Sequence, residues 1–587
     1  MDSKQVLKEY FGYDSFRDGQ ESIINAILAK QDSLVIMPTG AGKSICYQVP
    51  AMLLSGITIV ISPLISLMQD QVKALNDAGI QATFLNSFLK ESEISDILEK
   101  SEKGAYKIIY IAPERLESHK FLSFATKADI SMVTIDEAHC ISQWGQDFRP
   151  SYLKILSFIK QLPNRPIISA FTATATEEVR NDIACVLNLE NPFIYIGSFD
   201  RPNLYFKVES KSDKNRFIID YISKHKNESG IIYCSTRKTV EGLHELLANQ
   251  GFNVTMYHAG LESNTRKNNQ NDFIYDKSQV IIATNAFGMG IDKSNVRFVI
   301  HYNMPQSMEN FYQEAGRAGR DGEKSECILL FSSKDVNTCN YLLNHKKFDN
   351  IPIEDVELIK ERDQLRLKAM VKYCKTQSCL RNYILDYFGE GRETPCKNCN
   401  NCQNNQNTIE TQQHHVNNDI KSQLTNKGLE LFENLRQLRL SMAKQSAIPP
   451  YIIFSDRTLA DMCIKLPKTK EEMLDVSGVG NIKFDKYGTT FMEVIIEFTT
   501  KNPEVKTFMS QERSDNRKTL EEILVNEAYE RFFASRHICK YRDECQDDDD
   551  CENGLDDSFL YLDDLQAELS SIISMFRGPL PVHSHIR

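Results

Sequence analysis

The chain has 587 residues, of which 25% are charged, and a formal net charge of −11. This length excludes a single hydrophobic core and predicts several domains. We find no N-terminal signal and no apolar run near 20 residues, which predicts a cytoplasmic protein without a membrane span. Its fifteen cysteines should therefore be reduced thiols or metal ligands. The acidity does not exclude nucleic acid, because twelve acidic residues and no Lys or Arg lie within 543–568.

A glycine-rich loop follows the first strongly apolar run. Leu34–Met37 predicts a buried strand, and the sequence PTGAGKS follows at 38–44. Small residues at such a turn let backbone N–H groups surround phosphates, while a lysine reaches the β and γ oxygens and a hydroxyl binds Mg²⁺. Only the second half of the strict phosphate-loop pattern is present, since Met37 stands where glycine is expected. The residues predicted to bind ATP and Mg²⁺ are Thr39, Gly40, Ala41, Gly42, Lys43 and Ser44.

Two adjacent carboxylates follow the buried run Val133-Thr134-Ile135. They should emerge at the C-terminal end of a strand, where parallel α/β sheets bind ligands. Asp136 is predicted to hold Mg²⁺ together with Ser44, and Glu137 to orient and deprotonate the attacking water. Repeated strand-then-polar units predict a parallel sheet with crossover helices. These units begin at Ile59, Ile108 and Ile167.

Five segments in order, MPTGAGKS, SPLISLMQDQV, IAPERL, DEAHCISQWGQDFRPSY and FTATAT, resemble the successive motifs of superfamily 2 helicases. The segment after DEAH resembles the RecQ branch, and the likeness extends over about the first 400 residues. It implies that FGYDSFRDGQ at 11–20 recognises adenine. Gln20 would bind the base edge, and Tyr13 and Arg17 would stack on the ring.

The same resemblance implies that the residues after the carboxylate pair couple ATP to DNA. His139 would act as a relay. Trp144, Phe148 and Arg149 would sense DNA through stacking and charge. For Trp144 a buried core aromatic is the alternative interpretation, because large aromatic residues are mostly buried.

A second parallel α/β unit is predicted further along the chain. It has no phosphate loop of its own, as expected if the two units share one ATP in the cleft between them. In QEAGRAGR at 313–320 two arginines lie three residues apart, hence on one helical face if the segment is helical. Arg320 is predicted to be the arginine finger on the γ-phosphate, with Arg317 beside it and Gln313 near the water. The strand-like runs of this unit begin at Gly230, Val280 and Val296.

Three further motifs, TRK, YHAGL and ATNAFGMGIDK, would contact the nucleic-acid backbone or couple it to ATP by resemblance. Hydroxyls, amides and cations serve at such positions without reading sequence. A lone histidine is usually structural, so His258 rests only on its place in YHAGL. The candidates for phosphate contact are Ser62, Gln71, Thr236, His258 and Thr284.

Four cysteines follow the arrangement C-x16-C-x2-C-x2-C. Four thiolates at this spacing fit a closed, structural Zn²⁺ site, although ligand number alone also permits an iron–sulfur cluster. The resemblance of LRNYILDYFGEG and CKNCNNC to the RecQ zinc module favours zinc. Cys374 does not fit the pattern and is predicted to be a core thiol. The predicted ligands are Cys379, Cys396, Cys399 and Cys402.

After the cysteines the sequence departs from the common RecQ plan. Residues 426–502 resemble the helical HRDC domain. Between the cysteines and this domain lies only the segment 403–425, which is rich in Asn, Gln and His. The winged-helix domain that usually stands between the two is therefore expected to be missing. The turn 477–480 could touch a phosphate or simply join two helices. Beyond 503 two amphipathic helices and an acidic run are expected, and a second metal site is a weak alternative. Its candidate ligands are His537, Cys539, Cys545 and Cys551.

These observations predict an α/β protein with two tandem RecA-like parallel-sheet domains, a zinc-binding helical module, an HRDC-like bundle and a mostly helical C-terminal region. The resemblance implies an ATP-dependent 3′–5′ DNA helicase of recombination and repair, acting as a monomer on single-stranded and forked DNA, with single-strand-binding or repair proteins as further partners. The alternatives are a superfamily 2 RNA helicase and a DNA-binding ATPase that remodels protein–DNA complexes. The predicted boundaries are 1–200, 201–342, 343–405, 406–425 (linker), 426–502 and 503–587.

Overall fold

The computed structural model describes residues 1–142, 145, 148–226, 228–288, 293–346, 353–392, 394–406, 424–446 and 448–502. The structural statements below concern these residues, all of which belong to one compact unit. Trp144 and everything predicted beyond residue 503, including the second metal site, lie outside them. None of the helices within these ranges has the length and apolar character needed to span a bilayer.

Seven parallel strands form the first sheet. They are β1 (Ser33–Ile36), β2 (Ile57–Ile61), β3 (Ala82–Leu85), β4 (Ile108–Ile111), β5 (Ile130–Ile135), β6 (Ile167–Thr172) and β7 (Phe193–Ile196). Their order in space is β3-β4-β2-β5-β6-β1-β7, and every pair is parallel. The central strands are runs of Ile, Val and Leu buried on both faces, as parallel strands covered by helices require.

The helices of this part connect successive strands. They are α1 (Ser3–Val6), α2 (Gln20–Leu28), α3 (Lys43–Leu53), α4 (Ile65–Asp77), α5 (Glu91–Glu102), α6 (His119–Ala125), α7 (Lys154–Ile159) and α8 (Glu177–Val186). Shorter helical turns cover Leu7–Phe11, Pro113–Arg115, Ala138–Ile141 and Pro150–Leu153. Because β1 and β5 lie on either side of β6, the loops that follow them open at one edge of the sheet.

Six parallel strands form the second sheet. They are β8 (Leu204–Glu209), β9 (Ser229–Tyr233), β10 (Val254–Tyr257), β11 (Val280–Ala283), β12 (Val296–His301) and β13 (Ser325–Leu330). Their order is β10-β11-β9-β12-β13-β8, again with every pair parallel. The accompanying helices are α9 (Lys214–Lys224), α10 (Arg237–Asn249), α11 (Ser263–Ile274) and α12 (Met308–Ala315). The predicted two-sheet α/β architecture is therefore confirmed.

A helical module follows the second sheet and shares its hydrophobic core. It contains α13 (Ser333–Asn344), α14 (Ile353–Lys375), α15 (Leu380–Tyr387) and α16 (Asn400–Gln406). Phe206 of β8 forms an isolated bridge with Cys399, and Tyr373 of α14 packs its ring against Phe311. Cys374 is a buried free thiol of this core, as predicted.

The last described part is a helical bundle, residues 426–502, with its own core. Its helices are α17 (Asn426–Ser446), α18 (Pro450–Ile453), α19 (Asp456–Lys465), α20 (Lys470–Leu474), α21 (Asn481–Lys483) and α22 (Thr489–Lys501), with a turn over Phe484–Gly488. Arg439 is 1% exposed inside it, and its guanidinium donates to Asp456 Oδ1 at 2.7 Å and to the Phe454 carbonyl at 2.7 Å.

Candidate active site and metal centre

The phosphate loop, residues 38–44, connects β1 to α3 at the open edge of the first sheet. Gly40 and Gly42 have φ values of 83° and 85°, which only glycine adopts at low cost. Helix α3 begins at Lys43, whose Nζ donates to the Met37 carbonyl at 3.1 Å. Burial lowers the pKa of Lys43, while Glu137 and Asp136 beside it act in the opposite direction. The loop thus presents a helix N-terminus and a lysine to the carboxylate pair.

The carboxylate pair follows β5 at the same edge. Asp136 is 8% exposed, and its Oδ2 accepts a long hydrogen bond of 3.5 Å from Ser62 Oγ. Glu137 adopts a left-handed backbone with φ of 49°, and its N–H donates to Asp136 Oδ1 at 3.0 Å. A non-glycine residue in this conformation stores strain that often marks a functional site.

The two carboxylates have opposite pKa shifts. Burial, and then repulsion from Glu137, raise the pKa of Asp136 to about 7. Burial also acts to raise the pKa of Glu137, but His139 and Lys43 outweigh it and lower that pKa to about 2. The surroundings thus stabilise the ionised form of Glu137 and disfavour the ionised form of Asp136.

His139 connects the carboxylates to the end of β6. Its ring is 2% exposed, and Nδ1 lies 2.9 Å from Thr172 Oγ1 and 3.3 Å from Glu137 Oε2. Burial alone would lower the pKa of His139, but Cys140 and Glu137 raise it well above the ordinary value. The side chain is a buried bridge between two sheet-edge motifs.

Two of the three adenine candidates lie over the phosphate loop. Gln20 accepts from the Arg17 backbone N–H at 2.9 Å, and its side-chain amide donates to the carbonyls of Ala41 and Gly42 at 3.3 and 3.1 Å. Arg17 Nη1 donates to the Gly40 carbonyl at 2.7 Å. Tyr13 is 41% exposed. The amide of Gln20 and the guanidinium of Arg17 therefore lie beside the phosphate loop.

The second sheet contributes the arginine loop, residues 316–322, which follows α12. Thr39 Oγ1 donates to the Gly316 carbonyl at 3.2 Å, and Gln313 Nε2 donates to Thr174 Oγ1 at 3.3 Å. Helix α12 ends at Ala315, so Arg317 and Arg320 are in turns and do not share a helical face as the spacing had suggested. A Cβ added at Gly316 would lie 2.3 Å from Thr39 Oγ1, so the glycine permits the close approach of the arginine loop to the phosphate loop.

The candidates for backbone contact occupy strand ends. Ser62 follows β2 and is fully buried next to Asp136, and Thr284 follows β11 with 8% exposure. His258 follows β10, and its Nε2 lies 3.3 Å from Glu241 Oε1. Thr236 caps α10 by accepting from the Thr239 N–H. These side chains lie at strand and helix ends, as the motifs predict, but Ser62 is buried away from any open surface.

Two candidates near Pro63 and one next to α3 complete this set. Arg149 Nη1 donates to the Pro63 carbonyl at 3.0 Å. Phe148, the preceding residue, is half-buried. Gln71 Oε1 accepts from Gln48 Nε2 at 3.1 Å, which links α4 to α3.

The four predicted zinc ligands meet in one cluster. The Sγ atoms of Cys379, Cys396, Cys399 and Cys402 all lie within 4.8 Å of one another, and those of Cys396 and Cys402 are 3.9 Å apart. Thiolates bound at 2.3 Å to one tetrahedral ion lie about 3.8 Å apart. The donor set and its spacing fit a structural Zn²⁺ ion with no open position.

The turn 477–480 of the helical bundle packs against the N-terminal segment. The Gly478 N–H donates to the Gly12 carbonyl at 3.2 Å, and a Cβ added at Gly12 would lie 2.6 Å from Gly480 N. The turn joins α20 to α21 and, in addition, packs closely against the N-terminal segment.

One residue near the site, Arg201, was not singled out by its sequence. Its guanidinium donates to the carbonyls of Thr39, Ala318 and Gly319 at 2.8, 3.1 and 2.9 Å. Burial lowers its pKa. Hydrogen bonds to backbone carbonyls leave no pattern in the sequence. The one sequence feature that could have drawn attention to Arg201 is its position between the two predicted sheets.

Comparison with known proteins gives consistent family matches along the chain. Residues 17–182 match the DEAD/DEAH box helicase family and residues 213–322 the helicase conserved C-terminal domain. Residues 333–403 match the RecQ zinc-binding family, and residues 428–495 match the HRDC domain. The interval 404–427 between the last two is too short for a winged-helix domain of about a hundred residues.

Relatives match over most of the chain. ATP-dependent DNA helicase RecQ of Bacillus subtilis (strain 168) is 38% identical over 84% of this chain and 98% of its own length. The protein of that name from Haemophilus influenzae is 37% identical over 84% of this chain and 95% of its own. ATP-dependent DNA helicase Q-like 2 of Arabidopsis thaliana is 43% identical over 65% of this chain and 54% of its own.

Proposed function

The chain belongs to the RecQ family of ATP-dependent DNA helicases, and we propose from this premise which of its residues turn ATP hydrolysis into movement along DNA. The enzyme uses ATP and Mg²⁺, acts on DNA and binds Zn²⁺ through its four-cysteine cluster. The roles of individual residues are proposals, supported by the geometry at the facing edges of the two sheets.

On the first sheet, a lysine, a helix N-terminus and two buried carboxylates form the donor set that a magnesium nucleotide requires. Lys43 is proposed to bind the β- and γ-phosphates, and Ser44 and Asp136 to hold the metal. Glu137 is proposed to orient and deprotonate the attacking water, because it directly follows the residue proposed to hold the metal, and its lowered pKa keeps it ionised and able to accept a hydrogen bond from that water. When bound, Mg²⁺ supplies neutralisation of the phosphate charge.

On the second sheet, Arg320 is proposed to stabilise the developing γ-phosphate charge, with Arg317 and Gln313 beside it. The observation that carries this proposal is the direct contact across the cleft, in which Thr39 of the phosphate loop bonds Gly316 of the arginine loop. Opening and closing of this contact during the ATP cycle would change the grip of the two sheets on the DNA.

DNA coupling is proposed to run through the strand-end side chains. His139 bridges Glu137 and Thr172, so it can transmit a change between the carboxylates and the end of β6. The DNA-contact roles proposed for the remaining candidates rest on the family motifs. These residues are Ser62, Gln71, Trp144, Phe148, Arg149, Thr236, His258 and Thr284.

The test of the assignment is loss of turnover without loss of binding. Lys43→Ala and Glu137→Gln should each lower DNA-stimulated ATP hydrolysis by at least about 10²-fold, the scale of a removed general base or charge-stabilising group, while affinity for single-stranded DNA stays unchanged. Glu102→Gln, at an exposed position of α5, is the matched control and should keep full activity. Turnover close to that of the unmodified enzyme in either active-site variant would refute the assignment.

We further propose that the enzyme moves in the 3′–5′ direction on single-stranded and forked DNA and acts in recombination and repair. It is proposed to be a cytoplasmic monomer, with single-strand-binding or repair proteins as partners. Unwinding of partial duplexes that carry only a 3′ or only a 5′ single-stranded tail tests the polarity. Sedimentation tests the monomer. ATP hydrolysis measured with DNA and with RNA separates the proposal from an RNA helicase, and absence of unwinding would favour a remodelling ATPase.

A further inference from the structure

Arg201 lies in the linker segment, residues 198–203, which joins β7 of the first sheet to β8 of the second. Its Nη1 donates to the Thr39 carbonyl of the phosphate loop at 2.8 Å and, at a longer 3.4 Å, to Gly316 of the arginine loop. Its Nη2 donates to Ala318 and Gly319 of the arginine loop at 3.1 and 2.9 Å. One guanidinium therefore connects the two halves of the nucleotide site.

The planar fork of the guanidinium suits this geometry, because it can direct several N–H donors to carbonyls on two sides at once. Within the described ranges Arg201 forms no ion pair with a carboxylate, so its bonds to these carbonyls determine where it lies. Asn203 reinforces the same loop, since its side-chain amide donates to the carbonyls of Gly319 and Glu323 at 2.9 Å each.

The linker segment is itself held by the zinc module. Arg381, 2% exposed at the start of α15, donates to Asp200 Oδ1 and to the Arg201 carbonyl at 2.6 Å each. Glu390 accepts from the Phe199 N–H at 2.6 Å, and the Phe199 ring stacks on Phe388 with centroids 4.6 Å apart. The position of Arg201 thus depends on the helix that carries the first zinc ligand.

We propose that Arg201 is a positioning residue for ATP hydrolysis, which fixes the arginine loop against the phosphate loop and so aligns Arg320, while the zinc module holds the linker segment in register. This inference rests on the proposed function of Arg320 and extends it to a residue outside the family motifs considered above. Arg201 acts through the loop that it orders, so its effect should be on turnover more than on ATP affinity.

The first test replaces the fork by an apolar chain of similar length. Arg201→Met should lower kcat of DNA-stimulated ATP hydrolysis by roughly 10- to 100-fold, the scale of a misplacement of about 1 Å, with KM for ATP within a few-fold of the unmodified enzyme. Arg201→Lys keeps the positive charge but loses the planar fork of donors, so its kcat should lie between that of the unmodified enzyme and that of Arg201→Met. Zinc content and single-stranded DNA affinity should not change.

The matched control is Arg216→Met. Arg216 forms an exposed ion pair with Asp220 on α9 and, in the described part of the chain, contacts neither the two loops nor the linker segment, so its loss should leave kcat unchanged. If Arg201→Met lowers the melting temperature, Arg201→Lys is used to test the proposal instead. A reduced kcat of Arg201→Lys at an unchanged melting temperature supports the proposal, and a kcat equal to that of the unmodified enzyme overturns it.

A double variant separates alignment from an independent role. If Arg201 acts through Arg320, adding Arg201→Met to Arg320→Ala should slow turnover by no more than about twofold beyond Arg320→Ala alone. Multiplicative losses would overturn the inference, as would a kcat of Arg201→Met within about twofold of the unmodified enzyme. Lys43→Ala remains an independent test, so the proposed function can stand while this inference fails.

Discussion

Asp136 and Glu137 are neighbours at one strand end, yet their surroundings favour different protonation states. His139 Nδ1 lies 3.3 Å from Glu137 Oε2, while Asp136 is buried beside a negative charge and accepts one hydrogen bond from the Glu137 N–H and one long hydrogen bond from Ser62. Such an arrangement costs folding free energy that a protein without a function at this edge would avoid.

Removing the charge of Asp136 should therefore stabilise the protein while it abolishes ATP hydrolysis. Because the pKa of Asp136 is raised in the folded state from 3.8 to about 7, its contribution to stability is fully present below pH 3.8 and is lost as the pH rises through 7. Asp136→Asn escapes this loss, which is on the order of 1.4 kcal/mol per unit of pKa difference. The gain in melting temperature should be clearly smaller at pH 5 than at pH 7 and should reach a plateau above pH 7.

Thermal unfolding without ATP or Mg²⁺ measures this gain between pH 5 and 8. Asp96→Asn, at an exposed position of α5, is the control and should show no pH-dependent difference. A gain that is equal at both ends of the pH range, or a lower melting temperature, would contradict the argument.

Sequence alone found the residues whose chemistry is rare and missed those whose partners are backbone atoms. A lysine after two glycines and a pair of carboxylates after apolar runs are recognisable because few other arrangements serve phosphate and metal. Arg201 gave no such signal, since its contacts are the carbonyls of Thr39, Ala318 and Gly319. The spacing of Arg317 and Arg320 would place them on one face of a continuous helix, but α12 ends at Ala315, where the chain meets the phosphate loop of the first sheet.

At the scale of elements, the strands were predictable because parallel strands buried on both faces are continuous runs of Ile, Val and Leu. Their order in space was not, because apolar strands carry no label for their neighbours. The helical bundle shows a related limit. Its Arg439 reads as a surface residue of α17 but is 1% exposed and pairs with Asp456.

Breaking this buried pair should destabilise the bundle strongly. Arg439→Met removes the guanidinium that bonds Asp456 Oδ1 inside the bundle and should cost about 3–5 kcal/mol, whereas adding Asp456→Leu to it should recover part of the loss because both members of the pair are then apolar. Calorimetric unfolding of the full chain, with hydrogen exchange of α17 and α19 to locate the effect, measures both. Lys427→Met removes one partner of an exposed pair, Lys427–Glu430, and should change little. Similar losses in the single and double variants would contradict this account.

At the scale of the whole described unit, the helical bundle is docked on the first sheet through a close approach of backbones. Beside the Gly12–Gly478 hydrogen bond, Lys486 Nζ donates to the Asp77 carbonyl at 2.8 Å, and Lys8 Nζ donates to the Leu474 carbonyl at 3.3 Å. Gly12 directly precedes Tyr13 in the adenine motif. The sequence could not reveal this contact, because glycines that permit backbone packing look like ordinary turns.

A side chain at Gly480 should separate the bundle from the first sheet without unfolding either. Gly480 has φ of −95°, which valine adopts readily, but a Cβ there would lie 3.1 Å from the Glu9 carbonyl oxygen and 3.3 Å from Gly12 Cα, and the γ-methyls would come closer still. Gly480→Val should therefore raise amide hydrogen exchange of residues 7–12 and 474–486 by roughly tenfold or more, since undocking becomes a low-energy opening, while α17 and α19 keep their protection.

The control for this last variant is Gly242→Val on α10, where an added Cβ meets nothing within 4 Å. It should leave exchange at both segments unchanged. If Gly480→Val also leaves residues 7–12 protected, the backbone contact does not hold the bundle in place. In that case other contacts of the bundle, such as that of Ile482 with Gly79, would hold it in place, because two half-exposed lysines bonded to carbonyls rarely contribute more than about 1 kcal/mol each.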